Sequence, residues 1–196
     1  MPRKKDGKEI KVGERIKQIR KSKGFSLADV AEKSGFSSAL LSQIENHLVS
    51  PPLGTLIRLS RALDIEIGQF FWDKSKAPFT IVRKDERKSI SRVASKEGVK
   101  YGYSYESLAF DKKGRHMEPF LITLEPATIE DKNVFSHEGE EFIFVLKGDM
   151  EITLDEYTDV LHPGDCIYYD STIPHSVQCC EGIETKILAV ICVPTE

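Results

Sequence analysis

The spacing of apolar residues changes near residue 75, and this change constrains the fold more than any other feature. Before that point apolar residues recur every three to four positions, as at Ile16 and Ile19, which is typical of amphipathic helices. After it Tyr101, Tyr103 and Tyr105 alternate with small or polar residues, as in half-buried strands. We therefore predict an α+β protein with an all-α N-terminal domain and an all-β C-terminal domain.

Turn and capping residues divide the first part into five short helices. Gly24 and Gly35 are expected to end helices, whereas Ser26 and Ser37 are suited to begin them, and Asp29 completes a capping box with Ser26. The predicted helices run from residue 10 towards Gly24 and over Leu27–Ser34, Ser38–Asn46, Leu53–Leu63 and Ile67–Phe71.

The second part reads as short strands separated by Gly, Pro, Asp and Asn, a pattern typical of a small β-sandwich or barrel. Besides the tyrosine strand, the predicted strands are Pro119–Leu124, Glu141–Leu146, Met150–Leu154, Cys166–Tyr169 and Lys186–Val193. The predicted organisation is a basic arm at residues 1–9, a helical domain at 10–73, a linker with a leading strand at 74–98 and a β domain at 99–196.

The two parts differ in charge. Residues 1–75 carry a formal charge of +5 and residues 76–196 a charge of −8, which suggests that only the first faces a polyanion. No apolar run reaches the ~18 residues of a membrane span, and no apolar segment follows the basic start, so a cytoplasmic protein is expected. The cysteines at 166, 179, 180 and 192 are then predicted to be reduced, partly buried strand residues.

Residues 25–46 have the pattern of a helix-turn-helix unit: a helix, a glycine turn and a second helix that begins with small polar residues. Together with the flanking helices, residues 10–71 resemble the lambda-repressor-like (XRE) family, which implies a dimer, or a tetramer, on double-stranded operator DNA. By position, the resemblance implies a phosphate contact for Ser37 and a structural ion pair between Arg20 and Glu45. It places Ser38, Ala39, Ser42 and Gln43 towards the bases.

Two other features of this domain have alternative interpretations. Lys17, Lys21 and Lys23 are suited to neutralise phosphates, but a solvated face has the same pattern. Leu27 stands where the family often has a polar phosphate contact, so it is expected to pack against apolar neighbours. The alternative for the whole domain is a helical unit kept for packing or assembly.

His137, Glu141 and His175 are the candidate site of the β domain. Two imidazoles and one carboxylate form the ligand set of non-haem Fe(II) centres with open coordination positions. A spacing of four places His137 and Glu141 on one face of an extended segment, with His175 expected from an adjacent strand. If these side chains do not hold a metal, they are hydrogen-bonded residues of a polar ligand pocket.

The same residues, with Gly148 and Pro163-Gly164-Asp165, resemble the two motifs of the cupin superfamily, a double-stranded β-helix or jelly roll. Phe135 occupies the place of the first histidine, so the resemblance implies three ligands rather than four. The cofactor is then one divalent metal (Fe, Zn, Mn or Ni) or none. Tyr103, Tyr105 and Phe135 are predicted to line the pocket, and Arg115 to be solvated in a polar turn.

Two functions fit these features. The favoured one is a DNA-binding transcriptional regulator, not an enzyme, whose pocket binds a small-molecule effector. The alternative is an Fe(II)-dependent oxidase or epoxidase, because the chain is also similar to the 2-hydroxypropylphosphonate epoxidase family, which keeps the same three ligands behind a Tyr-x-Tyr strand. Against it, Gly24 and Val134 stand where the enzyme family has a lysine and an asparagine.

Overall fold

The computed structural model describes residues 12–49, 51, 53–71, 77–90, 103–112, 114–126, 134–180 and 182–192. Residues 12–71, the head, are helical, and residues 77–192, the β domain, form two antiparallel sheets. The helices of the head are α1 (Val12–Ser22), α2 (Leu27–Ser34), α3 (Ser38–Glu45), α4 (Leu53–Ala62) and a 3-10 helix (Ile67–Phe70).

The predicted helix ends are confirmed to within one or two residues, except that the predicted start of the first helix at residue 10 lies outside the described residues. The Gly24 and Phe25 amides donate to the carbonyls of Lys21 and Arg20, and Gly24 has a φ of 74°, which together make a Schellman motif. Ser26 and Asp29 form the capping box of α2. The prediction of five helices is corrected at the last one, because a segment of four residues closed by i to i+3 bonds is a 3-10 turn rather than an α-helix.

The larger sheet has the strand order β1-β2-β3-β9-β4-β7 and the smaller one the order β6-β5-β8. All predicted strands are present within a few residues. The segment predicted to hold a leading strand contains β1, and His175 lies on a strand, β8, as expected, whereas β6 was not predicted. In β6 four of five residues are exposed, so the alternation that marks a strand is missing. The strands are β1 (Lys88–Ile90), β2 (Tyr103–Ser107), β3 (Met117–Leu124), β4 (Glu140–Lys147), β5 (Met150–Leu154), β6 (Tyr157–Leu161), β7 (Cys166–Asp170), β8 (His175–Cys179) and β9 (Thr185–Cys192).

The head packs directly against the β domain. Phe71 meets Phe120 of β3 edge-to-face, with 5.9 Å between ring centroids, and the buried residues of both domains form one hydrophobic cluster. Arg115 lies at this contact between the two domains. The prediction that it is solvated is wrong: Arg115 is buried and donates to Glu118 at 2.8 Å, since the 3-10 helix at Gly68 covers it.

Two further observations bear on the predictions of environment. None of the described helices is long and apolar enough to cross a membrane. None of the four cysteines, all within the described residues, forms a disulfide. Three are half-buried as predicted, whereas Cys166 is exposed because β7 is an edge strand of the larger sheet.

Candidate metal centre and candidate nucleic-acid interface

His137, Glu141 and His175 converge between the two sheets. Their potential ligand atoms all lie within 4.8 Å of one another. The Nε2 atoms of His137 and His175 are 4.0 and 3.8 Å from Oε2 of Glu141. Each of the three residues is less than a tenth exposed, so they form a compact polar cluster inside an apolar interior.

The backbone brings these residues together in a way that differs from the prediction. His137 does not continue β4, because Gly139 adopts a φ of 102° and turns the chain between His137 and Glu141. His175 begins β8 of the smaller sheet, whereas Glu141 lies on β4 of the larger one. Phe135 and His175 exchange a pair of backbone hydrogen bonds of 2.8 Å, which fixes the loop that carries His137.

Hydrogen bonds orient both imidazole rings. Nδ1 of His137 lies 3.1 Å from the carbonyl oxygen of Glu138, and Nδ1 of His175 lies 2.8 Å from that of Ile173. Because a carbonyl only accepts, each Nδ1 carries the proton and each neutral ring keeps its lone pair on Nε2. Both lone pairs therefore face Glu141.

Burial controls the charge of this cluster. It lowers the pKa of His137 to about 4, and the neighbouring His175 and Arg61 act in the same direction, against the hydrogen bond to Glu138. It also lowers the pKa of His175. Burial raises the pKa of Glu141 to about 7, although the Tyr169 hydroxyl, 2.7 Å away, donates to its Oε2. At neutral pH both imidazoles are thus neutral.

The cluster fits a divalent metal. Metal-bound histidines usually donate their second ring N–H to a carbonyl or carboxylate, and both histidines here already do so. Two neutral Nε2 atoms and one carboxylate suit Fe(II), Zn(II), Mn(II) or Ni(II), and Tyr169 would hold the carboxylate in place. A bound cation would also favour the ionised form of Glu141.

A cavity of about 70 Å³ opens beside the cluster. Two residues predicted to line it do so, namely Tyr105 and Phe135. The Tyr103 side chain lies outside the described part of the structure. Two lining residues, Leu53 and Gly54, come from α4 of the head, and the rest are mainly aliphatic side chains of the β domain: Ile122, Leu124, Ile143, Val177 and Ile187.

Three participants escaped the sequence prediction. Tyr169 lies opposite Glu141 because β4 pairs with β7. The sequence does not reveal the register of this pairing, so it carried no signal for Tyr169. Leu53 and Gly54 were assigned only to a helix. A glycine inside a helix lowers the stability of the helix by up to ~1 kcal/mol relative to alanine. The presence of glycine at position 54 could therefore have indicated that the helix approaches another element there.

The residues predicted to read DNA lie along the outer side of α3. Ser38, Ala39 and Gln43 are exposed, as is the cap Ser37, and Ser42 is half-buried. The opposite side of α3 is buried through Leu41, Ile44 and Glu45. The Ser37 hydroxyl accepts from the Leu40 amide at 3.1 Å, so its own proton remains available for a phosphate.

Lys17 lies beside the end of this reading helix. Its ammonium donates to Oδ1 of Asn46 at 3.2 Å, and the Asn46 side chain donates to the Ser42 carbonyl at 2.8 Å. The charge of Lys17 is thereby held near the C-terminal end of α3. Leu27 packs against the core of the head, as predicted.

Arg20 and Glu45 join α1 to α3 as predicted. Two parallel hydrogen bonds of 2.6 and 2.8 Å connect the guanidinium and the carboxylate, both buried. Arg20 also donates to the Phe25 carbonyl at 2.8 Å. The hydrogen bonds with Glu45 raise the pKa of Arg20. This pair is structural, because neither group is free to reach a base.

Comparisons with known proteins match both parts of the chain. Residues 16–70 match the helix-turn-helix family and residues 120–191 the cupin domain family. The transcriptional regulator PuuR of Escherichia coli (strain K12) is 27% identical over 166 residues, which are 84% of this chain and 85% of PuuR.

Solved structures share the fold. A helix-turn-helix family transcriptional regulator from Vibrio cholerae has a TM-score of 0.65 at 23% identity, with 95% of this chain and 97% of that chain covered. The hydroxypropylphosphonic acid epoxidase from S. wedmorenis has a TM-score of 0.50 at 22% identity, with 93% and 97% covered. The transcriptional regulator SinR of Bacillus licheniformis is 32% identical over 108 residues, which are 55% of this chain and 97% of SinR. The chain therefore belongs to the XRE-type helix-turn-helix proteins, and a cupin domain follows its helix-turn-helix domain.

Proposed function

We propose that this protein is a sequence-specific DNA-binding transcriptional regulator and that its cupin domain binds a small-molecule effector. The observation that carries the proposal is the exposed side of α3 in a helix-turn-helix unit, where Ser38, Ala39 and Gln43 stand on a helix whose other side is packed. PuuR, which matches most of the chain, is named a transcriptional regulator.

In this proposal α3 lies in the major groove. The Gln43 amide has the geometry to bond an adenine edge bidentately, and the Ala39 methyl to contact a thymine methyl. Ser37 and Lys17 contact the phosphates. Two heads in a homodimer, or two pairs in a tetramer, would read half-sites about 34 Å apart. Such an operator is expected to be a pseudo-palindrome.

The finer assignments belong to the same proposal. The two sheets close as a jelly roll, the domains are bounded at residues 10–73 and 99–196, and the protein acts in the cytoplasm. His137, Glu141 and His175 hold one divalent metal, to which the effector binds. The metal would supply a fixed positive charge and open coordination positions, while the aliphatic walls of the cavity exclude water.

Selection of genomic fragments with the purified protein, followed by footprinting at moderate salt, tests the proposal. We expect one or a few protected pseudo-palindromic sites. Protein that protects no site at any salt concentration would disprove DNA regulation. Elemental analysis of His137→Ala beside the parent tests the metal: the parent should carry about one equivalent and the variant much less, and equal content would remove the metal from the proposal.

A non-haem iron oxidase is the second candidate, because the buried triad has the ligand set of such enzymes. It predicts Fe(II)-dependent consumption of oxygen or peroxide in the presence of a phosphonate alcohol. His137→Ala should abolish that consumption, whereas Gln43→Ala should leave it unchanged. Absence of consumption by the iron-loaded parent would exclude this candidate.

A further inference from the structure

Helix α4 of the head forms one wall of the cupin cavity through Leu53 and Gly54. The Leu53 amide donates to the Tyr105 hydroxyl at 3.1 Å, and a methyl group added at Gly54 would lie 3.1 Å from Cβ of Phe135. At the other end of the helix, Arg61 pairs with Glu138 at 2.6 Å. The loop that carries His137 is therefore held against a DNA-binding element from both sides.

The cavity is small. Its volume of about 70 Å³ is about half that of the ~150 Å³ engineered cavity that holds benzene. Side chains of the β domain cannot enlarge it easily, because Ile143 and Ile187 belong to the packed core between the sheets. The wall formed by α4 is the one that belongs to a separate domain.

We propose that α4 is the roof of the effector site and that Gly54 sets the size of ligand accepted while the roof is in place. A larger ligand then acts on DNA binding by displacing this roof. Only the last of these statements, the effect on DNA binding, rests on the proposed function. The ligand class that fits has a short apolar body and one polar end. The polar end meets His137, Glu141 and His175, and the body meets Leu53 and Phe135.

A route from the roof to the reading helix is present in the contacts. Arg58 of α4 donates to the Ser34 carbonyl at 2.6 Å, and its guanidinium lies over the Phe36 ring at 4.4 Å. These two residues flank the turn at Gly35 and immediately precede Ser37, the cap of α3. A displacement of α4 must therefore either carry this turn with it or break both contacts.

The roof is tested first without DNA, metal or effector. In the full-length variant Gly54→Cys/Phe135→Cys the two Cβ atoms start 3.1 Å apart, so α4 has to shift by a few tenths of an ångström to reach the ~3.8 Å of a disulfide. The probe is diethyl pyrocarbonate, which modifies neutral histidines and is too large for a cavity of about 70 Å³. Oxidised and phosphine-reduced samples of the same variant, both without the Phe135 ring, are compared by peptide mass spectrometry.

We expect His137 and His175 to react about tenfold more slowly in the oxidised sample, since the lock prevents local opening. The exposed His162 should react equally in both and serves as the internal reference. The single variants Gly54→Cys and Phe135→Cys should show no such difference. Failure of the disulfide to form, or equal modification of both buried histidines in the two states, overturns the roof.

The coupling is tested with Gly54→Leu, whose side chain imitates a permanent ligand under the roof. We expect its affinity for the selected operator to change about fivefold or more without any effector. Gln69→Leu places the same side chain on an exposed position of the head and should change little. Gly54→Ala is a smaller wedge that folds more readily, and it should act in the same direction.

These outcomes separate the proposals. If the parent binds no operator, the regulator proposal fails, while the modification rates still decide the roof. If the roof is confirmed and both Gly54 variants fold but bind the operator as tightly as the parent, the displacement mechanism is overturned and regulation must act through another contact.

Discussion

The reading face of α3 and the cupin pocket place polar side chains in opposite environments. Ser37, Ser38 and Gln43 are near neighbours in the sequence and exposed. His137 and His175 are 38 positions apart and buried. The first site is made by one helix, whereas the second exists only when two sheets, a loop and α4 are all in place. A loss of stability elsewhere in the protein should therefore change the shape of the reading face little, whereas it should disrupt the pocket.

The largest expected effect concerns the buried pair that holds α3 in the head. Arg20→Ala should lower the free energy of unfolding by about 3–5 kcal/mol, because it leaves the Glu45 carboxylate buried without its partner. Urea denaturation measures the loss. Arg87→Ala is the control, because its pair with Glu106 is partly exposed and should contribute less than about 1 kcal/mol. Similar costs for both variants would contradict a structural role for Arg20.

The second effect concerns the charge of the pocket. The pKa of Glu141 is about 7 in the folded protein against an ordinary 4.5, so ionisation destabilises the metal-free fold as the pH rises from 4.5 through 7. At pH 8 the full cost is present, on the order of 3 kcal/mol. Glu141→Gln removes it and still accepts a hydrogen bond from Tyr169.

Urea denaturation with a chelator should therefore find the Glu141→Gln variant more stable than the parent at pH 8 and equal to it at pH 4.5. Added Zn(II) should reverse the order at pH 8, since the parent alone keeps the carboxylate ligand. Identical pH profiles for the two chelated proteins would show that Glu141 is not ionised at a cost in the fold.

The third effect concerns the exposed site. Gln43→Ala should weaken operator binding by about 1–3 kcal/mol and relax the preference at one base pair, with no loss of stability because the side chain is exposed. Gel-shift titrations at fixed salt measure the affinity, and Gln69→Ala is the matched control. An unchanged affinity and footprint would remove Gln43 from the reading residues.

The smallest effect joins the two regions. Arg61→Gln removes the pair with Glu138, whose groups are about one-third and two-thirds exposed, so the loss of stability should stay below about 1 kcal/mol. Diethyl pyrocarbonate should nevertheless modify His137 a few-fold faster, because one anchor of α4 is gone. Arg87→Gln should leave that rate unchanged, and faster modification in both variants would point to general loosening.

The contrast between a site made by one helix and a site made by several elements also explains which features could be predicted from the sequence. The ends of α2 and the capping residues Ser26 and Ser37 were predicted correctly, because caps and turns are local chemistry. Strand β6 was missed because its side chains are mostly exposed and show no alternation. The burial of Arg115 could not be predicted, because the residue that covers it, Gly68, is far away in the sequence.

The candidate site was predictable in part for the same reason. The identities of His137, Glu141 and His175 followed from a motif, but the reason offered for their convergence was wrong at Gly139, whose left-handed backbone no spacing rule anticipates. The contributions of Tyr169 and Gly54 depend on strand register and on the docking of a helix. Both arise from tertiary packing, which composition and periodicity do not describe.

The continuous hydrophobic cluster that runs from Ile16 of the head to Ile187 of the β domain has a consequence for modularity. Two domains that share a core are expected to unfold as one cooperative unit, so that whatever occupies the pocket also stabilises the helices that read DNA. Exchange of the head for that of a relative would cut through this core rather than through a linker. A functional chimera would therefore have to bring with it the counterparts of Leu53, Gly54 and Phe71.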